Sequence, residues 1–352
     1  MKKIYIISLQ PYAGKNFSSI GIINSLIENN YRTGYIKPVG NLPKIINGNI
    51  YDESALLIKD IFSLKEENNV VSPFVLTYDV VHSILKEPQK QAIFKQKIFD
   101  AIYSVKDKDY LIISGAGDLF TGSTVGLFSL KIAKEIKTKI LLVESFNIDL
   151  SLDNIIGLKS ILSDDFLGCI INKVPENLEN HVSKEIIPFL EKEKIKVFAY
   201  FLKDKFLEAL TIRELVDVLN GKVLCCEDRL DEFVENYSIG AMDVDNALRY
   251  FKIKPNKAVI TGVHRTDIQL AALETSTKVL ILTGGTGVND IVLAKAISCG
   301  VPLVLVEEDT FSVVTKIELL AERGRIKENK KIEKIKNLFK EKFDLKKFLS
   351  SM

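Results

Sequence analysis

Cysteine is scarce in this chain: 352 residues contain four, Cys169, Cys225, Cys226 and Cys299, with no C-x-x-C spacing and no nearby histidine partner. That excludes a disulfide framework and a sequence-encoded zinc site, and leaves buried or incidental thiols. An excess of one charge is also missing, since 48 Lys and Arg face 46 Asp and Glu, a formal charge of +2. No global field exists to draw nucleic acid or a membrane surface. No apolar run approaches the roughly 18 residues of a membrane-spanning helix. The Met-Lys-Lys start leads into a short strand that stops at a polar, glycine-containing turn. The expectation is a soluble, cytoplasmic protein with no nucleic-acid partner and no membrane span.

What is present argues for two α/β domains. With 47% hydrophobic residues the chain can bury substantial cores, and its length exceeds what one core usually serves. Short β-rich apolar runs (Ile4–Ser8, Thr33–Ile36, Tyr110–Ser114, Lys139–Glu144, Cys169–Asn172) alternate with longer amphipathic stretches (Ser18–Glu28, Ala55–Phe62, Val125–Ile136, Leu152–Leu162). This is the pattern of a parallel sheet with helices on both faces. Polar and glycine residues gather in the turns after these strands, Leu9–Gly14, Lys37–Gly40, Gly115–Asp118 and Asn172–Pro175, where such sheets bind ligands.

Asn220–Gly221 reads as a helix stop, so a domain break is expected near 221. A second α/β segment follows, with strands at Lys222–Cys226, Ala258–Thr261, Val279–Leu282 and Pro302–Val306 and helices at Val244–Tyr250, Ile268–Glu274 and Val288–Cys299. From Arg325 to Met352 ten basic residues face four acidic ones, and Ile332, Ile335, Phe339 and Phe343 recur near helical spacing. The stretch 326–352 therefore reads as a basic amphipathic terminal helix lying against the second domain. A surface helix for a membrane or a partner is the alternative.

The start of the chain carries the sharpest chemistry. Strand residues Lys3–Ser8 run into Gln10-Pro-Tyr-Ala-Gly14-Lys15-Asn16 and then a helical pattern. A complete phosphate-binding loop reads G-x-x-x-x-G-K-[ST]: its backbone N–H groups wrap phosphates, the Lys neutralises them and the hydroxyl ligates Mg²⁺. Gly14 and Lys15 fit; Ser8 stands at the first glycine and Asn16 at the hydroxyl position. Taken alone, Lys15 reads equally as a phosphate contact or as a solvated residue at a helix start. Asn172 likewise reads as a turn former before Pro175.

In the second segment, Thr261-Gly262-Val263-His264-Arg265 and Thr283-Gly284-Gly285-Thr286-Gly287 form glycine-permitted turns at strand ends. Exposed N–H groups there, with Arg265, would make an anion nest. Asp243 and Asp267 read as caps of the helices that follow them. His264, one of three histidines, reads as a solvated loop side chain.

The order of motifs resembles known families over nearly the whole chain. Gly14–Lys15, Tyr35-Ile-Lys37-Pro-Val39, Ser54-Ala-Leu-Leu57, Ser114-Gly-Ala-Gly117 and Ile171-Asn-Lys-Val-Pro175 make residues 1–220 resemble the dethiobiotin synthetase-like P-loop proteins. That group includes the N-terminal region of long phosphotransacetylases and is related to cobyrinic acid a,c-diamide synthases. Gly240-Ala-Met242, Ala247–Phe251, Ala258–Gly262, Arg265–Thr275 and Leu280–Gly285 make residues 221–325 resemble a DRTGG domain. The pair looks like the stand-alone architecture without an acetyltransferase catalytic domain.

The resemblance implies a P-loop NTPase-like parallel sheet flanked by helices, followed by a smaller α/β DRTGG domain. It implies nucleotide contacts from Gly14, Lys15, Asn16, Lys37, Gly115, Gly117 and Asn172, with Asn172 reading adenine. For the second domain it leaves Gly262, His264, Arg265, Thr283, Gly284 and Gly285 as ligand candidates. In active relatives three side chains hold Mg²⁺, and here Asn16, Ser54 and Ser114 stand in their places. Mg²⁺ is therefore expected to be lost unless Asp52, Glu53 or Asp118 substitutes.

The leading expectation is a nucleotide-responsive regulatory protein, binding ATP or another adenine nucleotide, with the DRTGG domain sensing a ligand or dimerising the chain. A Mg-ATP-dependent enzyme and an oligomeric scaffold without ligands are the alternatives. A catalytic group cannot be assigned from these residues.

Overall fold

The computed structural model describes residues 1–323, Ile326 and residues 328–352. The chain forms two compact units: Met1–Lys203 together with Ile326–Met352, and Asp204–Arg325. The second unit is thus spliced into the first, and the first break falls earlier than the expected position near 221.

Unit 1 begins β1 (Lys2–Ile7), α1 (Lys15–Glu28), β2 (Thr33–Ile36), the hairpin β3 (Pro43–Ile46) and β4 (Asn49–Asp52), and α2 (Glu53–Ile61). There follow α3 (Asn68–Val71), α4 (Tyr78–Lys86), α5 (Lys90–Ser104), β5 (Tyr110–Ser114), α6 (Ser129–Glu135), β6 (Lys139–Ser145), α7 (Ser151–Leu162) and β7 (Phe166–Val174). Helices α8 (Glu179–His181) and α9 (Ile187–Lys192) then lead to β8 (Val197–Leu202).

Among the described residues, these strands form one six-stranded sheet in the order β2-β5-β1-β6-β7-β8, all parallel. The chain crosses from one side of β1 to the other between β5 and β6. That reversal opens a crevice at the carboxyl ends of the central strands. One face, through Tyr5, Ile7, Ile113, Leu142 and Ile171, packs on Ile98 and Ile102 of α5, Ile132 of α6, Ile155 of α7 and Leu190 of α9.

Unit 2 contains α10 (Lys205–Glu208), β9 (Leu210–Thr211), α11 (Ile212–Leu219), β10 (Lys222–Cys225), β11 (Phe233–Val234), β12 (Asn236–Ile239), α12 (Val244–Ile253) and β13 (Lys257–Gly262). It continues with α13 (Thr266–Leu273), β14 (Thr277–Thr283), α14 (Asp290–Cys299), β15 (Leu303–Val306) and α15 (Thr310–Arg323). Helix α11 starts on a capping box between Thr211 and Glu214. The sheet order is β10-β15-β14-β13-β12, with β12 to β15 parallel and β10 antiparallel at the edge. Its parallel strands follow one another in chain order, so no reversal separates their ends.

After unit 2 the chain returns to unit 1 as α16 (Asn329–Lys342) and α17 (Leu345–Ser350). The expectation of a tail lying against the second domain is corrected. Helix α16 lies on α1, burying Ile332, Ile335 and Phe339, and Asp344 N–H donates to the Phe198 carbonyl of edge strand β8 at 3.0 Å. The apolar stripe was legible; the surface it covers depends on Gly21 and Phe17 far away in sequence. Among the described residues, no helix is long and apolar enough to cross a membrane.

Candidate functional site

The loop after β1 is shaped by its own sequence. Gly14 has φ +110°, and a Cβ there would lie 2.1 Å from Asn172 Nδ2, so both backbone conformation and space demand glycine. The Asn172 amide, at the end of β7, donates to the Ala13 carbonyl at 2.9 Å and holds the loop against the sheet. Helix α1 then starts with no side-chain cap and no acidic residue in its first turn. Its free N–H groups and dipole favour an anion at that end.

Lys15 crosses this mouth. Its Nζ donates to Ser8 Oγ at 2.5 Å and to the Gly117 carbonyl after β5 at 2.6 Å. Both acceptors are neutral, and among the described residues Lys15 forms no ion pair. Burial, and then the nearby Lys37 ammonium, pull its pKa down to about 7, against a smaller opposing pull from Asp118. Gly115 continues the parallel pairing by donating to the Ile6 carbonyl at 2.8 Å. The structure therefore brings Gly14, Lys15, Gly115, Gly117 and Asn172 together, and Asn16 follows Lys15 in the first turn of α1.

Lys37 lies differently. It is buried, and its Nζ donates to Asp52 Oδ1 at 3.0 Å and Ser54 Oγ at 2.8 Å. Asp52 is fully buried and caps α2. Its Oδ1 also accepts from Ser54 N, Ser54 Oγ and Ala55 N, and its Oδ2 accepts from Asn41 N and Leu42 N. Burial by itself raises the Asp52 pKa, but Lys37 and these donors together hold it below the ordinary range.

This network tests the site for a divalent cation. Six donors, one an ammonium, already occupy both Asp52 oxygens, leaving little for a metal that wants hard, open oxygen ligands. Asp118 Oδ1 is engaged by Phe120 N, Thr121 N and Thr121 Oγ1. Glu53 sits in the first turn of α2, where a carboxylate complements the helix dipole. No group of three or more His, Cys, Asp or Glu gathers among the described residues. In this arrangement Asp52 is committed to the protein's own donors and is not open to a divalent cation.

Sequence reasoning passed over Glu144, at the end of β6. It is buried, its Oε1 accepts from Ser151 Oγ and Asn154 Nδ2, and burial raises its pKa. It faces α7 and fixes the start of that helix. Only the register of β6 reveals it.

In unit 2 the two glycine turns do come together at the ends of β13 and β14. Val263 N–H donates to the Thr283 carbonyl at 3.0 Å, Gly284 N–H donates to Glu308 O at 2.9 Å, and Gly285 packs on Val263. Arg265 is spoken for: Nη2 donates to the Met242 carbonyl at 2.9 Å, and Nε and Nη2 bond Asp267 at 3.2 Å. Asp267 does not cap α13 as expected, because that helix already starts at Thr266 with Arg265 in the cap position, and Asp267 lies inside its first turn; Asp243 does cap α12, accepting from Asn246 N at 3.0 Å. His264 is exposed. Gln269, also missed from sequence, is fully buried under the turn, where its Nε2 donates to the Gly262 and Val263 carbonyls at 2.9 and 3.0 Å.

Two family models match the chain. Residues 2–210, more than half of the chain, match the family model described as an AAA domain, AAA_26, and residues 214–320 match a DRTGG domain. The chain belongs to this AAA domain family and carries a DRTGG domain behind it.

Among curated relatives, the phosphate acetyltransferase of Synechocystis is 22% identical over 366 residues, covering 99% of this chain and 51% of that protein. The ATP-dependent dethiobiotin synthetase of Buchnera aphidicola is 23% identical over 207 residues, covering 57% of this chain and 92% of the relative. The chain thus spans about half of the acetyltransferase. The Archaeoglobus fulgidus nucleotide-binding protein in complex with ADP aligns over 58% of this chain and 82% of its own, at 13% identity and a TM-score of 0.35. Homology is thus to P-loop proteins like dethiobiotin synthetase, to phosphotransacetylase, and to DRTGG domains.

Proposed function

We propose that this is a cytoplasmic nucleotide-binding regulatory protein. Its P-loop unit takes the phosphates of an adenine nucleotide on the loop at residues 9–16 without a dedicated divalent-cation site, and its DRTGG unit serves as a ligand-sensing and dimerising module. One observation carries the reading: Lys15, half-buried at an uncapped helix start, donates to the neutral Ser8 and Gly117 oxygens and forms no ion pair among the described residues, with Asp118 acting on it only as a weaker, more distant charge. A partly desolvated ammonium without an ion-pair partner is disfavoured, and an anion at this point relieves that cost. The dethiobiotin synthetase relatives, ATP-dependent by name, support adenine as the base. In this reading Lys37, tied to Asp52, is a fixed neighbouring positive charge and not a mobile phosphate ligand.

The test is calorimetric titration of ATP, ADP, AMP and GTP into the wild-type chain and Lys15→Ala, each with Mg²⁺ and with EDTA. Binding in EDTA that disappears in Lys15→Ala is the expected result. Strict dependence on Mg²⁺ would instead point to a Mg-ATP-dependent enzyme, and no binding at all to a scaffold. Sedimentation of the full chain as a dimer that depends on residues 204–323 is the expected outcome for assembly.

A further inference from the structure

The end of the unit 1 sheet opposite the phosphate loop also collects positive charge. Strands β6, β7 and β8 lie side by side and start there, and a cavity of about 440 Å³ lies at their starts. Four lysines line it: Lys139 at the start of β6, Lys159 in the last turn of α7, and Lys194 and Lys196 just before β8. The backbone fixes this gathering. Lys194 takes a left-handed φ of +60° after α9. Ile195, buried between the two lysines, anchors the loop by donating its N–H to the Leu190 carbonyl at 2.9 Å. Gly168 of β7 lets the loop come close, since a Cβ there would lie 2.3 Å from the Lys196 carbonyl oxygen. Phe166 and Leu167 are buried in the wall, and Asp164 and Ser351 complete the lining.

None of the four lysines forms an ion pair among the described residues. Lys139 Nζ donates to the Asp164 carbonyl at 2.5 Å and Lys159 Nζ to the Ser163 carbonyl at 2.8 Å, both neutral oxygens just past the end of α7. Elsewhere in the same unit lysines find carboxylates, as in Lys90 with Glu87, Lys95 with Glu135 and Lys108 with Glu66. Glu191, three residues before Lys194, is taken by Lys347 at 2.7 Å. Within the cavity four ammoniums face one carboxylate, Asp164, which leaves a net side-chain charge of +3. Like charges around one cavity repel, and a bound anion relieves that repulsion.

We propose that this cavity is a second anion site, which binds the chain of a short linear polyphosphate. Its volume suits a small ligand. Lysines are rotatable point charges that bind phosphate oxygens, and four of them spread around one cavity match an anion whose charge is spread over several phosphates. No Asn, Gln or Arg lines the cavity, so no amide is there to read a base. The site shares no residue with the phosphate loop and does not depend on the nucleotide reading above.

The experiment is calorimetric titration of inorganic tripolyphosphate, in EDTA, into full-length chains that all carry Lys15→Ala, which removes binding at the phosphate loop. One chain has no other change, a second adds Lys194→Gln and Lys196→Gln, and a third adds Asp164→Asn. A fourth adds Lys65→Gln and Lys86→Gln, two exposed lysines outside the cavity. The Lys15→Ala chain is expected to bind one tripolyphosphate. Losing Lys194 and Lys196 should weaken binding by about tenfold or more, while losing Lys65 and Lys86 leaves it unchanged. Asp164→Asn withdraws the one negative charge and should tighten binding about two- to fivefold, a gain that lysines kept only for the end of α7 would not produce. ATP titrated into the same chains separates a nucleotide's phosphates from a free polyphosphate, the tighter ligand marking the source.

A Lys15→Ala chain that binds neither tripolyphosphate nor ATP overturns the proposal. Binding that survives loss of Lys194 and Lys196, or that falls equally on loss of Lys65 and Lys86, overturns it too. Should the Lys194 and Lys196 changes unfold the chain, Asp164→Asn decides alone, and an affinity that it leaves unchanged is the overturning result. The nucleotide reading is tested separately by ATP binding to a chain that keeps Lys15 and carries Lys194→Gln and Lys196→Gln. Its failure there would leave the cavity site standing.

Discussion

In unit 1 a glycine turn follows β1, and the lysine beside it rests on two neutral oxygens; in unit 2 a glycine turn follows β13, and the arginine beside it is bridged to Asp267. Residue types and local shape are alike, and the electrostatic outcome is not. Strand order explains part of the difference. Around β1 the sheet reverses, so loops after β5 and β7 converge on the first loop and partly cover Lys15. Around β13 the strands follow in sequence, and Arg265 stays partly exposed with a carboxylate two residues away. A cation held only by neutral partners is primed for an anion; one already paired is a piece of structure. Lys37, paired with Asp52 in the interior, belongs with the second kind despite lying near Lys15.

Breaking the two ion pairs should separate them most. Asp52→Ala leaves the Lys37 ammonium buried and unpaired and removes the cap of α2, a loss of about 3–5 kcal/mol in chemical denaturation. Asp267→Ala, at an exposed pair, should leave the denaturation midpoint where it was. Equal effects would mean that the interior of unit 1 is wetter than its packing implies. Gln269→Ala withdraws a buried donor from two carbonyls and should cost about 1–3 kcal/mol, read as a lower midpoint for unit 2.

The phosphate loop is sensitive in another way. Gly14→Ala meets a left-handed φ and the Asn172 amide at once, so nucleotide affinity should fall by about tenfold or more with the fold retained in circular dichroism. A variant that binds normally would show that the loop opens before it binds.

Binding should also depend on pH. Lys15 in the folded chain gives up its proton as the pH rises through about 7, while the unfolded chain holds it to the ordinary lysine range. Affinity in EDTA should therefore decline between pH 6.5 and 8.5, approaching tenfold per unit at the upper end. Ionisation of the phosphate over the same span would by itself strengthen binding. A flat or rising titration curve would remove Lys15 as the charge that matters. The same group makes the folded chain gain stability with pH above about 7, since the unfolded chain then binds the extra proton; Lys15→Ala should abolish that slope.

Much of this was legible in local pattern. The alternation of apolar runs located β1, β2, β5, β6 and β7, and Gly14–Lys15 marked the loop, because strand period, helix period and turn chemistry are short-range. The hairpin of β3 and β4 was not legible; its Asn47–Gly48 turn lies in a stretch without alternating hydrophobicity. Strand β8 also passed unnoticed, its apolar run lying between charged segments. Asp243 was recognised as a cap from its position alone, whereas Asp267, with the same local credentials, falls inside α13 because that helix begins at Thr266.

Sequence by itself determined the α/β character of the fold, the glycine turn after β1 and the apolar stripe of α16, since each depends on residues a few positions apart, although the one terminal helix expected over 326–352 is broken into α16 and α17. Only the tertiary structure decided that Lys37 is locked by Asp52, that Asn172 holds Gly14 in place, and that Phe339 sits on Gly21. Those contacts join residues 15, 158 and 318 positions apart, and their free energies depend on which side chains the sheet order and the return of the chain bring into one dry, close-packed place.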